Sequence, residues 1–156
     1  MKEATNSTYI IGEIGQNHNG SIEIAKKIID YVAEPVIDRL FGEYLKPMDA
    51  VKFTKRDLNE ELSKSEMKRP YTSPHSLGRT YGEHRAFLEL SDEQHHELYR
   101  YAKGKGLEFV ETLCARGCLS MLRYFEPDRL KVASRDLTNL PLLAAMAETK
   151  IPMILS

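Results

Sequence analysis

Short apolar runs rich in β-branched residues alternate along the chain with longer segments of helical period. Repeated βα units around a parallel sheet produce this pattern. The first run, residues 9–14, meets a polar, glycine-bounded loop at residues 15–20. Ser21 then stands as a natural N-cap, with Glu23 in the first turn and Ile24, Ala25, Ile28, Ile29 and Val32 on one apolar stripe. Pro35 ends this helix or opens a second one carrying Val36, Ile37, Leu40 and Phe41. A second strand follows at residues 50–53.

Residues 54–90 show no clean apolar period, and a stretch of that length inside a compact domain is usually functional or mobile. Ser91, with Gln94 three positions on, is a capping box for a helix that buries Leu98, Tyr101 and Ala102 and stops at Gly106. Strands are expected at residues 108–112, 130–134 and 152–155, separated by helices near residues 119–125 and 140–147. The pattern therefore predicts four βα units and the start of a fifth strand.

The length of 156 residues and an apolar content of 42% suit one packed domain. With 22 basic against 23 acidic residues the net charge is −1, which excludes a global field that would recruit nucleic acid or an acidic membrane. Any anion binding must be local. No apolar run approaches the roughly 18 residues of a membrane helix, and a cytoplasmic protein is expected. Cys114 and Cys118 lack paired histidines and CxxC spacing, so they read as reduced thiols.

In parallel α/β folds chemistry gathers at the carboxyl ends of strands. Those ends deliver Glu13 with Asn17, His18 and Asn19; Lys52 and Thr54; Glu111 and Thr112; and Lys131, Ser134, Arg135 and Asp136. Two lysines with hydroxyls beside them suit a small phosphorylated or carboxylated anion, and a carboxylate at Glu13 could orient water or move a proton. The competing reading makes the lysines ordinary strand-end cations paired with Glu13. Strand alternation cannot aim both Lys131 and Ser134 at one site unless the strand bends after Lys131. His18 reads as a hydrogen-bonding loop residue, and the His95–His96 pair, in a polar run, as a solvated helix face.

Residues 11–20, Ile-Gly-Glu-Ile-Gly-Gln-Asn-His-Asn-Gly, together with residues 49–53, 88–91, 106–112, 130–134 and 152–156 in that order, resemble the N-acetylneuraminate (sialic acid) synthase family. The resemblance spans nearly the whole chain. It implies an α/β fold, a partial (β/α)8 TIM barrel of about four βα units, without the later strands and the small antifreeze-like domain of the family. It also implies condensation of phosphoenolpyruvate with an N-acetylmannosamine-like sugar aldehyde. Glu13 would be catalytic, and Lys52, Thr54, Thr112, Lys131, Ser134 and Arg135 would bind substrate. A divalent Mn²⁺ or Mg²⁺ would polarise the aldehyde, its histidine ligands lying outside this chain, so negligible synthase activity is expected of the chain alone. A homo-oligomer is also implied.

Thr54 replaces the family's usual glutamine, Leu113-Cys114 its Pro-Phe, and Arg135 its glycine. Residues 34–47 are longer than the family's usual link, with an effect expected on packing or assembly. Two alternatives stand beside this reading. One is a non-catalytic fragment or subunit that needs a partner half. The other is a phosphoenolpyruvate-aldol synthase making a keto-deoxy sugar phosphate, with Arg79, His84 and Arg85 as its phosphate site.

Overall fold

A computed structural model describes residues 8–45 and 47–156. Five parallel strands form the sheet: β1 (Ile11–Gly15), β4 (Ala50–Lys55), β5 (Glu108–Leu113), β6 (Arg129–Val132) and β7 (Met153–Leu155), in that spatial order. Between β1 and β4 come helix α1 (Ile22–Ala33) and a hairpin of β2 (Val36–Asp38) and β3 (Glu43–Leu45). Helices α2 (Leu58–Glu61), α3 (Lys64–Lys68), α4 (Tyr81–Leu88) and α5 (Asp92–Gly104) separate β4 from β5. A 3-10 helix (Arg116–Arg123) precedes β6, and α6 (Leu140–Glu148) precedes β7.

Alternation along the strands decides what each face of the sheet carries. Val51 and Phe53 of β4, Phe109 and Leu113 of β5, and Leu130 and Val132 of β6 are fully buried. They form one core with Ala25 and Ile29 of α1, Leu98 and Ala102 of α5, Met121 of the 3-10 helix, and Leu142 and Met146 of α6. The opposite parity places Lys52, Thr54, Thr112 and Lys131 on the other face. Helices thus cover the face that holds the core and leave the polar one to the site. That is the layering of a barrel wall rather than of a doubly wound sheet.

The second helix expected at Val36 to Phe41 is not formed; the chain makes the β2–β3 hairpin instead. Pro35 disfavours helical backbone in the residue before it, and Glu34 turns extended at φ −82°, ψ 136°, so α1 stops. Asp38 then closes the turn: its Oδ1 accepts from the backbone N–H of Leu40 at 2.8 Å, and its carbonyl accepts from Gly42, which sits at φ 68°. The spacing read as a helical stripe instead leaves Leu40 and Phe41 exposed at the hairpin tip.

The aperiodic stretch at residues 54–90 is ordered by caps rather than by an apolar stripe. Asp57, Ser63 and Thr80 each accept a backbone N–H of the helix they begin, Thr80 in a full capping box with Glu83. Helix α4 docks over the loop after β1. Arg85 donates to Gln16 Oε1 at 3.0 Å, Gln16 donates to Glu89, and Glu89 accepts from the backbone N–H of Arg56 at 3.1 Å.

The docking depends on Gly20. Its φ is +75°, and a Cβ there would lie 2.2 Å from the carbonyl oxygen of Phe87 on α4. Gly20→Ala is therefore expected to lower stability by at least about 2 kcal/mol, through backbone strain added to a clash with backbone that cannot move aside. A urea titration giving the wild-type midpoint would overturn this.

Candidate functional site

Parallel register brings residues from separate βα units to one place. Glu13 pairs with Lys52 across β1 and β4; Thr54 pairs with Thr112, and Thr112 with Lys131, across the next two strands. Lys52 Nζ lies 3.1 Å from Glu13 Oε1, and Lys131 Nζ lies 3.7 Å from the same oxygen. Lys52 Nζ also approaches Thr112 Oγ1 at 3.5 Å. The two ammonium groups thus converge on one carboxylate from neighbouring strands.

Strand β6 ends at Val132, and the chain bends into a 3-10 turn over Ser134–Asp136. The bend is what lets Lys131 and Ser134 face one site. A cleft of about 330 Å³ opens at the carboxyl ends of the strands. It is lined by Lys52, Thr54, Thr112, Lys131, Ser134 and Arg135, together with Arg56, Cys114, Ala133 and Ser156. Arg56 and Ser156 had not been singled out. Each directly follows a strand, which is the signal that could have found them.

The cleft is built for an anion. Among the described residues four cationic side chains line it and no acidic side chain does. Lys52 is 6% exposed, so its charge is weakly screened. Glu13 stands at the edge, two-thirds exposed. The hydrogen bond from Lys52, then the charges of Lys52 and Lys131, hold its carboxyl below the usual range. Glu13 is therefore ionised at neutral pH and able to take a proton.

A divalent cation does not suit this donor set. Lysines, arginines and hydroxyls line the cleft, and among the described residues no three His, Cys, Asp or Glu side chains come together to hold a metal. No chemical step on this chain is assigned to one.

His95 corrects the expectation of a solvated helix face. It is 1% exposed, and its Nδ1 lies 2.9 Å from Glu111 Oε2, itself fully buried. Glu111 thus projects into the core, on the opposite face from Thr112. His95 shares the α5 stripe with Leu98 and Ala102, a pattern the surrounding charges obscured. His18 lies 1% exposed in the turn after β1, its Nδ1 accepting from the backbone N–H of Gly20 at 3.1 Å.

The suggested phosphate site in residues 79–85 is largely committed to internal contacts. Arg85 binds Gln16 and the Tyr81 hydroxyl, and His84 Nδ1 accepts from Leu77. Cys114 and Cys118 are free and buried, and burial pushes the Cys118 thiol up to about 12.

Sheet and cleft together define a βα-barrel type of α/β protein with a cationic cleft at its carboxyl edge. The NeuB family model matches residues 46–156, more than half of the chain, and the chain belongs to that family. N-acetylneuraminate-9-phosphate synthase of Homo sapiens is 36% identical over 148 residues, which are 95% of this chain and 38% of that protein. N,N'-diacetyllegionaminic acid synthase of Legionella pneumophila is 34% identical over 152 residues, 95% of this chain and 39% of that protein. The chain thus spans about two fifths of the length of these relatives. A solved N-acetylneuraminic acid synthetase from Leptospira borgpetersenii, in complex with citrate, aligns at a TM-score of 0.69 with 25% identity, over 96% of this chain and 44% of that one.

Proposed function

We propose that this chain supplies the phosphoenolpyruvate half-site of a synthase that condenses phosphoenolpyruvate with an amino-sugar aldehyde, giving a nonulosonic acid and inorganic phosphate. The observation that carries the reading is the approach of Lys52 and Lys131 to one carboxylate oxygen, in a cleft whose remaining polar lining is mostly hydroxyls and guanidiniums.

In this reading the ammonium groups, with Thr112 and Ser134, hold the phosphate and carboxylate of the three-carbon substrate, and Arg135 adds a further contact. Carbon 3 attacks the aldehyde carbon, water adds at carbon 2, and the C–O bond to phosphate then breaks to leave a ketone; of the water's two protons one ends on the former aldehyde oxygen and the other on the departing phosphate. Glu13, adjacent to both lysines and open to solvent, orients that water and accepts its proton. Thr54 faces the acceptor. The exposed apolar side chains of the hairpin, and the outer edges of β1 and β7, which pair with no described strand, support a homo-oligomer.

Calorimetric titration of phosphoenolpyruvate into the protein tests this without an acceptor. Saturable binding that weakens with added salt is expected. An absence of binding at low salt would overturn it.

A further inference from the structure

The cleft carries two more cations than the pair of lysines, and both are tied to one carboxylate. Arg56 follows β4 and Arg135 lies in the turn after β6, so their guanidiniums meet across the end of β5. Between them stands Glu61, whose side chain is 7% exposed. A single oxygen, Oε1, accepts from both Arg56 Nη1 and Arg135 Nη2, the latter at 2.5 Å.

This sharing leaves donors and acceptors unused. Glu61 Oε2 and Arg56 Nε are buried without a hydrogen-bond partner among the described residues. A guanidinium offers a planar fork that two oxygens satisfy together, and Glu61 presents only one oxygen to two forks. The contact is strong in charge and incomplete in geometry. A phosphate or carboxylate entering the cleft brings the missing acceptors to guanidiniums that already line it. The Arg135 side chain is half exposed and so can reach an entering anion through its outer nitrogens, while its Nε stays anchored to Asp136 at 3.3 Å.

We propose that Arg56, Glu61 and Arg135 form an anion-exchange latch: Glu61 holds the two guanidiniums at the rim of the cleft, and the ligand's anionic group displaces it from Arg135. The latch rests on the anion-cleft reading and deepens it by making Glu61 a competitor of the substrate and Arg135 a selector of it.

Binding of phosphoenolpyruvate and of inorganic phosphate to the protein and its variants tests the latch. Removing the competitor in Glu61→Gln should tighten both by about tenfold, and Arg135→Ala should weaken phosphoenolpyruvate by about tenfold, the scale of one charge-assisted hydrogen bond. The gain should vanish in the double variant Glu61→Gln/Arg135→Ala, and Arg135→Lys should recover only part of the loss. Unchanged or weaker binding in a folded Glu61→Gln protein overturns the latch. If that variant does not fold, wild-type affinity in Arg135→Ala overturns it equally. Lys52→Ala keeps the two ideas apart. If Lys52→Ala abolishes phosphoenolpyruvate binding while Glu61→Gln leaves it unchanged, the latch alone fails. If Glu61→Gln raises phosphate binding in a protein indifferent to Lys52→Ala, the assignment of the lysine site alone fails.

Discussion

Lys52→Ala is expected to weaken phosphoenolpyruvate binding by at least about 30-fold, the equivalent of roughly 2 kcal/mol for a buried charge that loses its ionic partner. The Lys52 ammonium is nearly enclosed, faces Glu13 and Thr112, and would be the least screened cation a ligand meets. Lys131 is more open, with 19% of its side chain exposed, and Lys131→Ala should cost about tenfold. Stability should move the other way. Removing Lys52 relieves the desolvation of a buried ammonium and strands only Glu13, which is largely in water, so the melting temperature should hold or rise. A binding defect without a folding defect separates a ligand contact from a structural ion pair. Equal heats of binding in wild type and both variants would remove the lysines from the site.

How far the site could be read in advance follows from the range of the interactions that build it. Strands β4, β5, β6 and β7 announce themselves as short apolar runs, and period two assigns Lys52 and Thr54 to one face and Val51 and Phe53 to the other. The meeting of Glu13 with Lys52 is not local. It depends on which residues of β1 and β4 stand opposite each other, and on the register shift between Glu13 and Gly15. The resemblance pointed to the same residues but could say nothing of their distances.

The hairpin escaped because Val36, Ile37, Leu40 and Phe41 fit a helical stripe as well as two short strands, and only the Asp38–Gly42 turn decides between them. His95 escaped because flanking charges outvoted its place on the buried stripe, although Leu98 and Ala102 fix that stripe. Arg56 and Glu61 escaped for a further reason. Five positions apart, they look like an ordinary surface pair until Arg135, far along the chain, joins them.

Acid is expected to destabilise the protein before its carboxylates titrate, and His18 supplies the reason. Burial, reinforced by the nearby His95, pushes the His18 imidazole down to about 4, with the Gly15 backbone carbonyl opposing. The unfolded chain takes up its proton near the ordinary histidine value of about 6.5. Between those values the unfolded state binds a proton that the folded state refuses, so stability falls as pH drops from about 6.5 toward about 4 and is unaffected by this group below that. From pH 7 to 5 the loss should be about 2 kcal/mol. His18→Asn removes the titration while keeping an acceptor for the Gly20 N–H, so the variant should start less stable at pH 7 and lose correspondingly less on acidification. His84, also held below its usual value by partial burial, acts in the same direction, and the comparison of the two proteins cancels it. Urea midpoints at pH 7 and 5 measure the difference, and identical slopes for the two proteins would sink the assignment. The same imidazole sits against Phe53, the residue after Lys52, and follows Glu13 into the turn that α4 covers. The folded protein keeps that imidazole neutral down to about pH 4, so this group should leave phosphoenolpyruvate affinity unchanged between pH 7 and 5 while stability falls.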